Sequence, residues 1–298
     1  PKLRLGFVVE GFDAVQAPTK NYLRWAEKHD AELFELVFYS RWSANDSFTR
    51  NYEPTIASLE AMGHKVVCAP PSPTQLERIL WLFQKIKGDA VDILVTSSMC
   101  MTPHVHLMMS MKPAPVLIKD VFQQPELSEI PDMTIHTSRR TILDDVGEAA
   151  SFGSRYYFET EESQTIDRKE LDIPVEACVL ISSGRAQKFN DPDFWSMVDS
   201  VLKKSKSTWF VAVGISASEI DLATVVSPRS ASRIKLLGFR NDVRSLLSLA
   251  NVYVDTFPQG GGYSIAEAMS CGLPVLTFET NFHERFLVRK MMYSEIVG

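Results

Sequence analysis

Short apolar runs alternate along the chain with longer segments whose apolar residues recur at helical spacing. Parallel strands buried on both faces, joined by crossover helices buried on one, leave that pattern. Leu3 to Val9 reads as the first strand, followed by strands at Leu33 to Tyr39, Lys65 to Ala69, Asp92 to Thr96 and Pro115 to Lys119. Thr19 to Lys28, Glu53 to Met62, Thr74 to Ile86 and Pro103 to Met111 read as the helices between them. Residues 1–157 thus form one doubly wound α/β domain. The stretch from Arg155 to Pro174 carries Glu159, Glu161, Glu162, Asp167, Arg168, Lys169 and Glu170 with little periodicity, which suits a linker at 158–174. The alternation restarts over 175–298. Strands are expected at Cys178 to Ser182, Trp209 to Gly214, Ile234 to Leu237, Val252 to Thr256 and Pro274 to Phe278. Helices are expected at Pro192 to Lys203, Val243 to Leu249 and Ser264 to Ser270.

A chain of 298 residues is long enough for two such domains. With 45% hydrophobic and 23% charged residues it has the make-up of a globular protein rather than a disordered or fibrous one. A net charge of -6 lacks the basic signature of a duplex-binding protein, so no nucleic acid is expected as a partner. Cys68, Cys100, Cys178 and Cys271 stand singly in apolar runs, which favours buried, reduced thiols. No apolar run approaches a membrane span, and the amino terminus enters a strand without a signal-peptide pattern. The expected location is cytoplasmic, with peripheral membrane contact left open.

Two segments carry candidate chemistry. In the segment from Asn251 to Thr277, a strand, a glycine run and a helix follow one another. Gly260, Gly261 and Gly262 allow close backbone approach to a ligand. A helix opening at Tyr263 and Ser264 offers free amides and a partial positive charge to a diphosphate. Glu267, one turn along, faces the same mouth. A purely structural account is that Ser264 and Glu267 form a capping box and the glycines only turn the chain. The second segment is Ser182-Ser-Gly-Arg-Ala-Gln-Lys-Phe-Asn-Asp-Pro192, directly after a strand. Arg185 and Lys188 leave the carboxyl end of that strand, where open α/β sheets bind ligands, and two cations there could hold a diphosphate. They could also be a solvated pair beside a helix capped by Asp191.

Asp255-Thr-Phe-Pro258, the glycines and Gly272-Leu-Pro-Val-Leu-Thr277 resemble the donor-binding strand, turn and helix of GT-B glycosyltransferases, above all the O-linked N-acetylglucosamine transferase branch. Leu237-Gly-Phe239, Leu246 to Asn251, Leu3 to Asp13, Phe34 to Ser40 and Lys112-Pro-Ala-Pro-Val116 are similar to that branch in the same order. The resemblance implies two Rossmann-like doubly wound domains facing a cleft, the first on the acceptor side and the second binding a nucleotide-sugar donor, UDP-sugar favoured. It implies that Lys188 contacts the diphosphate, with Arg185 and the amides from Gly260 to Ser264 stabilising the leaving group. Glu267 would bind the ribose. It further implies no metal and no cofactor, which the lack of a clustered Asp-x-Asp matches, and a closing helix for which Glu284 to Ile296 is the remaining segment.

The chain departs from its likeness in two places. The branch places a histidine in the loop after the first strand, and here that loop runs Glu10-Gly-Phe-Asp13, with no histidine before His29. Glu10 or Asp13 could serve as the base instead, although acidic residues in such loops often cap helices. Retaining GT-B enzymes carry two glutamates eight apart; Glu267 matches the second and Gln259 stands at the first, where it can hydrogen-bond a sugar hydroxyl but carry no charge. Inversion is therefore favoured. Asp120 is a further acidic candidate after its strand, whereas His104, His106 and His136 read as structural. The expected function is sugar transfer from a nucleoside-diphosphate donor to a hydroxyl or amide acceptor on a glycan, lipid-linked glycan or protein. The alternatives are a catalytically silent nucleotide-sugar or glycan-binding GT-B module acting as a partner or regulatory protein, and a GT-B-fold sugar-nucleotide epimerase.

Overall fold

The computed structural model describes residues 2–9, 11–13, 17–42, 46, 52–72, 74–97, 103–121, 130–136, 150–153 and 166–278. Glu10, Cys100 and the segment 284–296 lie outside these. The chain divides into two compact units, Pro1–Tyr157 and Phe158–Gly298.

In the first unit β1 (Leu3–Val9), α1 (Ala17–Lys28), β2 (Phe34–Ser40), α2 (Glu53–Ala61) and β3 (Lys65–Cys68) are followed by α3 (Gln75–Gly88), β4 (Ile93–Ser97), α4 (Pro103–Ser110) and β5 (Val116–Val121). Two short strands missing from the sequence reading, β6 (Met133–His136) and β7 (Ala150–Gly153), extend the sheet. The order is β3-β2-β1-β4-β5-β6-β7 and every pairing is parallel. The inner strands are apolar almost throughout because both faces are covered. Val8, Leu94 and Leu117 pack toward α3 and α4 residues such as Leu82 and Met108. Phe7, Phe38 and Val95 pack on the other face with Tyr22 and Ala26 of α1.

The second unit repeats the winding. It runs β8 (Cys178–Ser183), α5 (Pro192–Lys204), β9 (Thr208–Val213), two one-turn helices α6 (Leu222–Val225) and α7 (Pro228–Ala231), β10 (Ile234–Leu236), α8 (Val243–Ser248), β11 (Val252–Val254), α9 (Tyr263–Ser270) and β12 (Val275–Leu276). Its sheet order is β10-β9-β8-β11-β12, again parallel. Counted from each unit's first strand, both begin 3-2-1-4-5, so the strand order reverses between β8 and β11. At such a switch point the loops leaving the two strands part and open a crevice at their carboxyl ends.

The described end of the expected linker is integrated into this unit. Ile166, Leu171 and Ile173 pack into its core. The Arg168 guanidinium donates to the carbonyls of Leu249, Val175 and Ala177. Cys178 was expected to be buried and is exposed, because it opens β8 at the sheet's rim; Cys68 and Cys271 are half-buried. No described helix is long and apolar enough to cross a membrane.

Candidate functional site: the nucleotide-type crevice of the second unit

The turn after β8 is built on an aromatic anchor. Asp191 caps α5 by accepting from the Asp193 and Phe194 N–H groups, and Pro192 fills the first helical position. That fixes Trp195, whose indole N–H donates to the Phe189 carbonyl at 2.7 Å. Phe189, Phe194 and Trp195 are all fully buried and in mutual ring contact. Each contributes about 1.5 to 3 kcal/mol by leaving water. The single turn of 3-10 helix from Ala186 to Phe189 is thereby held in place, with Arg185 exposed at its start and Lys188 near its end. Gly184 leaves room for the lysine stem, since a Cβ there would meet Lys188 Cδ at 3.0 Å. Gly214 closes the floor: its φ is +95°, and a Cβ on it would fall 2.0 Å from the Gly184 carbonyl oxygen.

The loop after β11 meets this turn. Lys188 Nζ donates to the Gly260 carbonyl at 2.9 Å across 72 positions of sequence. The glycine run is folded around Asp255, which is fully buried at the end of β11. Its Oδ1 accepts from the N–H groups of Thr256 at 3.0 Å and Gly261 at 2.8 Å. Its Oδ2 has no hydrogen-bond partner among the described residues. The Thr256 hydroxyl donates to the Gln259 carbonyl at 2.9 Å, so the loop is tied within itself as well. A Cβ on Gly261 would lie 2.0 Å from Ser264 Oγ, so any side chain there would force the serine hydroxyl to turn away. Beneath the loop, buried Tyr253 donates to the Ser183 carbonyl at 3.1 Å, linking β11 to β8.

Charge is shared unevenly here. Burial pushes the Asp255 carboxyl up to about 7, against the pull of the Gly261 amide, Lys188 and the Thr256 amide. Burial also lowers the Lys188 ammonium, which Asp255 partly restores and Arg185 lowers further. Burial and the nearby Asp255 push Tyr253 up to about 12.

The helix start settles one of the alternatives left by the sequence. α9 begins at Tyr263 with Gly262 at its cap and no side-chain cap bond, so Ser264 lies inside the first turn and the Ser264–Glu267 capping box does not form. First-turn amides without a side-chain cap carry the partial positive charge of a helix N-terminus. Of the amides expected to face a ligand, that of Gly261 is instead turned inward to Asp255. Glu267 is buried within α9 and Gln259 is exposed at the turn. The structure therefore brings together Lys188, Gly260, Gly261 and Ser264, with Arg185 at the rim of the lysine's own turn. Asp255 and Tyr253 were missed as site residues. The available signal was an aspartate directly following the apolar run Val-Tyr-Val of a buried strand.

Comparison with known proteins accords with this geometry. Residues 179–291 match the family model of glycosyl transferases group 1. No curated protein matches the sequence. Among solved structures, an O-GlcNAc transferase from Thermobaculum terrenum superposes with a TM-score of 0.64 at 18% identity, over 97% of this chain and 56% of that one. The lipopolysaccharide outer core galactosyltransferase WaaB gives 0.62 at 12% identity, covering 99% and 92% of the two chains. A protein from Listeria monocytogenes assigned as a UDP-N-acetylglucosamine 2-epimerase gives 0.57 at 12%, covering 99% and 87%. The fold is GT-B, and this chain spans little more than half of the Thermobaculum transferase.

In the first unit, the described acidic candidates lie apart, Asp13 in the loop after β1 and Asp120 within β5. Asp13 is half-buried after β1, where Gly11 packs on the Tyr52 hydroxyl. Asp120 is 1% exposed near the end of β5, neither oxygen has a partner among the described residues, and burial pushes it up to about 7. Thr96, Lys119 and Thr134 are buried polar residues paired across β4, β5 and β6, whereas Asp120, the next residue on β5, belongs to the opposite face of the sheet. His104 and His106 lie two apart on helix α4, so they diverge, and His136 ends β6.

Proposed function

We propose that this chain transfers a sugar from a nucleoside-diphosphate donor to a hydroxyl, or less readily an amide, of an acceptor. Transfer is proposed to invert the anomeric centre and to need no metal, with a UDP-sugar as favoured donor and a glycan, lipid-linked glycan or protein as acceptor. One observation carries the reading: the Lys188 ammonium lies on the Gly260 carbonyl, so a cation and a side-chain-uncapped helix start share one crevice at the switch point. As the glycosidic bond to the diphosphate breaks, negative charge grows on the departing oxygen, and donors already aimed there lower the barrier as an oxyanion hole does. Lys188, Arg185 and the amides of Gly262, Tyr263 and Ser264 take that role. Glu267 and Gln259 accept or donate to ribose and sugar hydroxyls. Asp13 and Glu10 are the proposed bases for the acceptor proton.

Calorimetric titration with UDP, GDP, CMP and dTDP tests the donor site. One diphosphate is expected to bind at micromolar Kd, and Lys188→Ala to weaken it tenfold or more, about 1.4 kcal/mol. No binding by any of the four in a folded sample would sink the reading. Binding without donor turnover would favour the silent module, and an epimerised nucleotide sugar as product would favour the epimerase.

A further inference from the structure

Asp255 carries a charge that its fold-holding bonds do not require. An asparagine carbonyl in its place would accept the same two N–H groups, from Thr256 and Gly261, because an amide oxygen also offers two lone pairs. Meanwhile Oδ2 is buried without a partner, which costs stability. Few charged or titratable groups face it. Lys188 approaches from the turn after β8 with Arg185 behind it, and Tyr253 lies two residues earlier on β11. Glu267 is the other buried carboxyl of this loop and helix. Among the described residues the ammonium of Lys188 has one hydrogen bond, to the Gly260 carbonyl. It is therefore free to exchange that neutral acceptor for a stronger, anionic one.

We propose that Asp255 is a positioning residue that couples donor binding to a proton: as a carboxylate it holds Lys188 at the glycine turn, and it is protonated when the ammonium turns to a nucleoside diphosphate. The inference rests on the donor-site reading above. Turning Lys188 away removes an attraction from the carboxylate, and the diphosphate adds a repulsion; both raise its proton affinity. Burial has already brought this carboxyl to about 7, so the exchange falls near neutral pH. The step balances simply. A solvent proton bonds to the carboxylate, an N–H···O bond passes from the Gly260 carbonyl to a phosphate oxygen, and no other bond changes. By linkage, affinity is flat below about pH 7 and falls above it, by up to about tenfold per unit where uptake is complete.

The probe is UDP-glucose, or the GDP or dTDP analogue if that nucleotide binds in the screen above. A diphosphate esterified at both ends has no phosphate proton to titrate near neutrality, so any proton taken up belongs to the protein. Calorimetry on the whole chain at pH 8, in two non-phosphate buffers of different ionisation heat, is expected to show uptake of roughly half to one proton. Asp255→Asn is expected to keep binding and lose the uptake, which a purely structural role would not do. A binding heat independent of buffer in the wild type overturns the inference without need of any variant. Uptake that persists in Asp255→Asn also overturns it, by assigning the proton to Lys188. If no nucleotide or nucleotide sugar binds the wild type, the donor-site reading itself falls and takes this inference with it.

Discussion

Asp120→Asn is expected to leave the first unit little changed at pH 5 and to stabilise it at pH 8. The carboxyl is 1% exposed, lacks a partner on either oxygen, and is raised from 3.8 to about 7 by burial alone. A rise from 3.8 to about 7 corresponds to about 4 kcal/mol between the two protonation states, an upper bound that water entry and relaxation reduce to about half. The sign follows from proton counts. Between about pH 4 and 7 the folded chain keeps a proton that the unfolded chain has lost, so stability falls as pH rises and levels off above 7. Asparagine has nearly the same shape and no such proton. The stability of the variant relative to wild type should therefore grow by about 1 to 3 kcal/mol from pH 5 to pH 8. Urea denaturation read by hydrogen exchange of the β5 peptide isolates this unit, because two units need not unfold together. A difference that stays within about 0.5 kcal/mol across that range would refute the argument, since it would mean that the carboxylate is stabilised by a partner or by water.

Three further outcomes bear on the donor crevice. Gly214→Ala should cost about 2 to 4 kcal/mol in urea denaturation, because φ is +95° and the new Cβ would meet backbone, the Gly184 carbonyl, which cannot swing aside. An effect under about 0.5 kcal/mol would show that the two loops do not touch there. Gly261→Ala should cost about 1 to 3 kcal/mol and weaken nucleotide binding by calorimetry, since the new methyl strikes Ser264 Oγ. Adding Ser264→Ala removes the struck atom and should restore part of both losses; a double variant no better than the single one would place the clash elsewhere.

Much of the fold was legible because parallel βα units write themselves in apolar periodicity. Leu3–Val9 and Pro103 as a helix start were read correctly, and most other boundaries fell within a residue or two. The strand β6 was missed because Met133–His136 is only four residues long, with two β-formers, Thr134 and Ile135; its pairing comes from β5 and β7 rather than from its own propensity. The one-turn helices α6 and α7 are too short to show a period. In the crevice, the glycine run and Lys188 were visible as residue types and expected to serve one diphosphate, while the bond that joins them across 72 positions was not legible. The start of α9 was placed at Ser264 by local capping rules. It begins earlier because Asp255, six residues back from Gly261, takes that amide and shapes the entry to the helix.

The same residue shows why the crevice reads as a binding site rather than as a tight turn. A turn needs Oδ1 of Asp255 and nothing more, and a neutral side chain would supply it. What the turn does not need is the bare Oδ2, the raised carboxyl and an ammonium whose own charge is disfavoured by burial, all gathered within one loop pair. Each is a cost to the folded chain. Gly214, at a positive φ and with a Cβ position only 2.0 Å from the Gly184 carbonyl oxygen, adds a backbone constraint of the same kind. Under the proposed donor-site reading, an occupant of the crevice in the working state offsets these costs. The occupant must be anionic to satisfy Lys188 and the start of α9, and it must tolerate a neighbouring carboxyl that can be neutralised near pH 7. A diphosphate meets both conditions, whereas a neutral sugar or a cation would leave the lysine and the helix start unused.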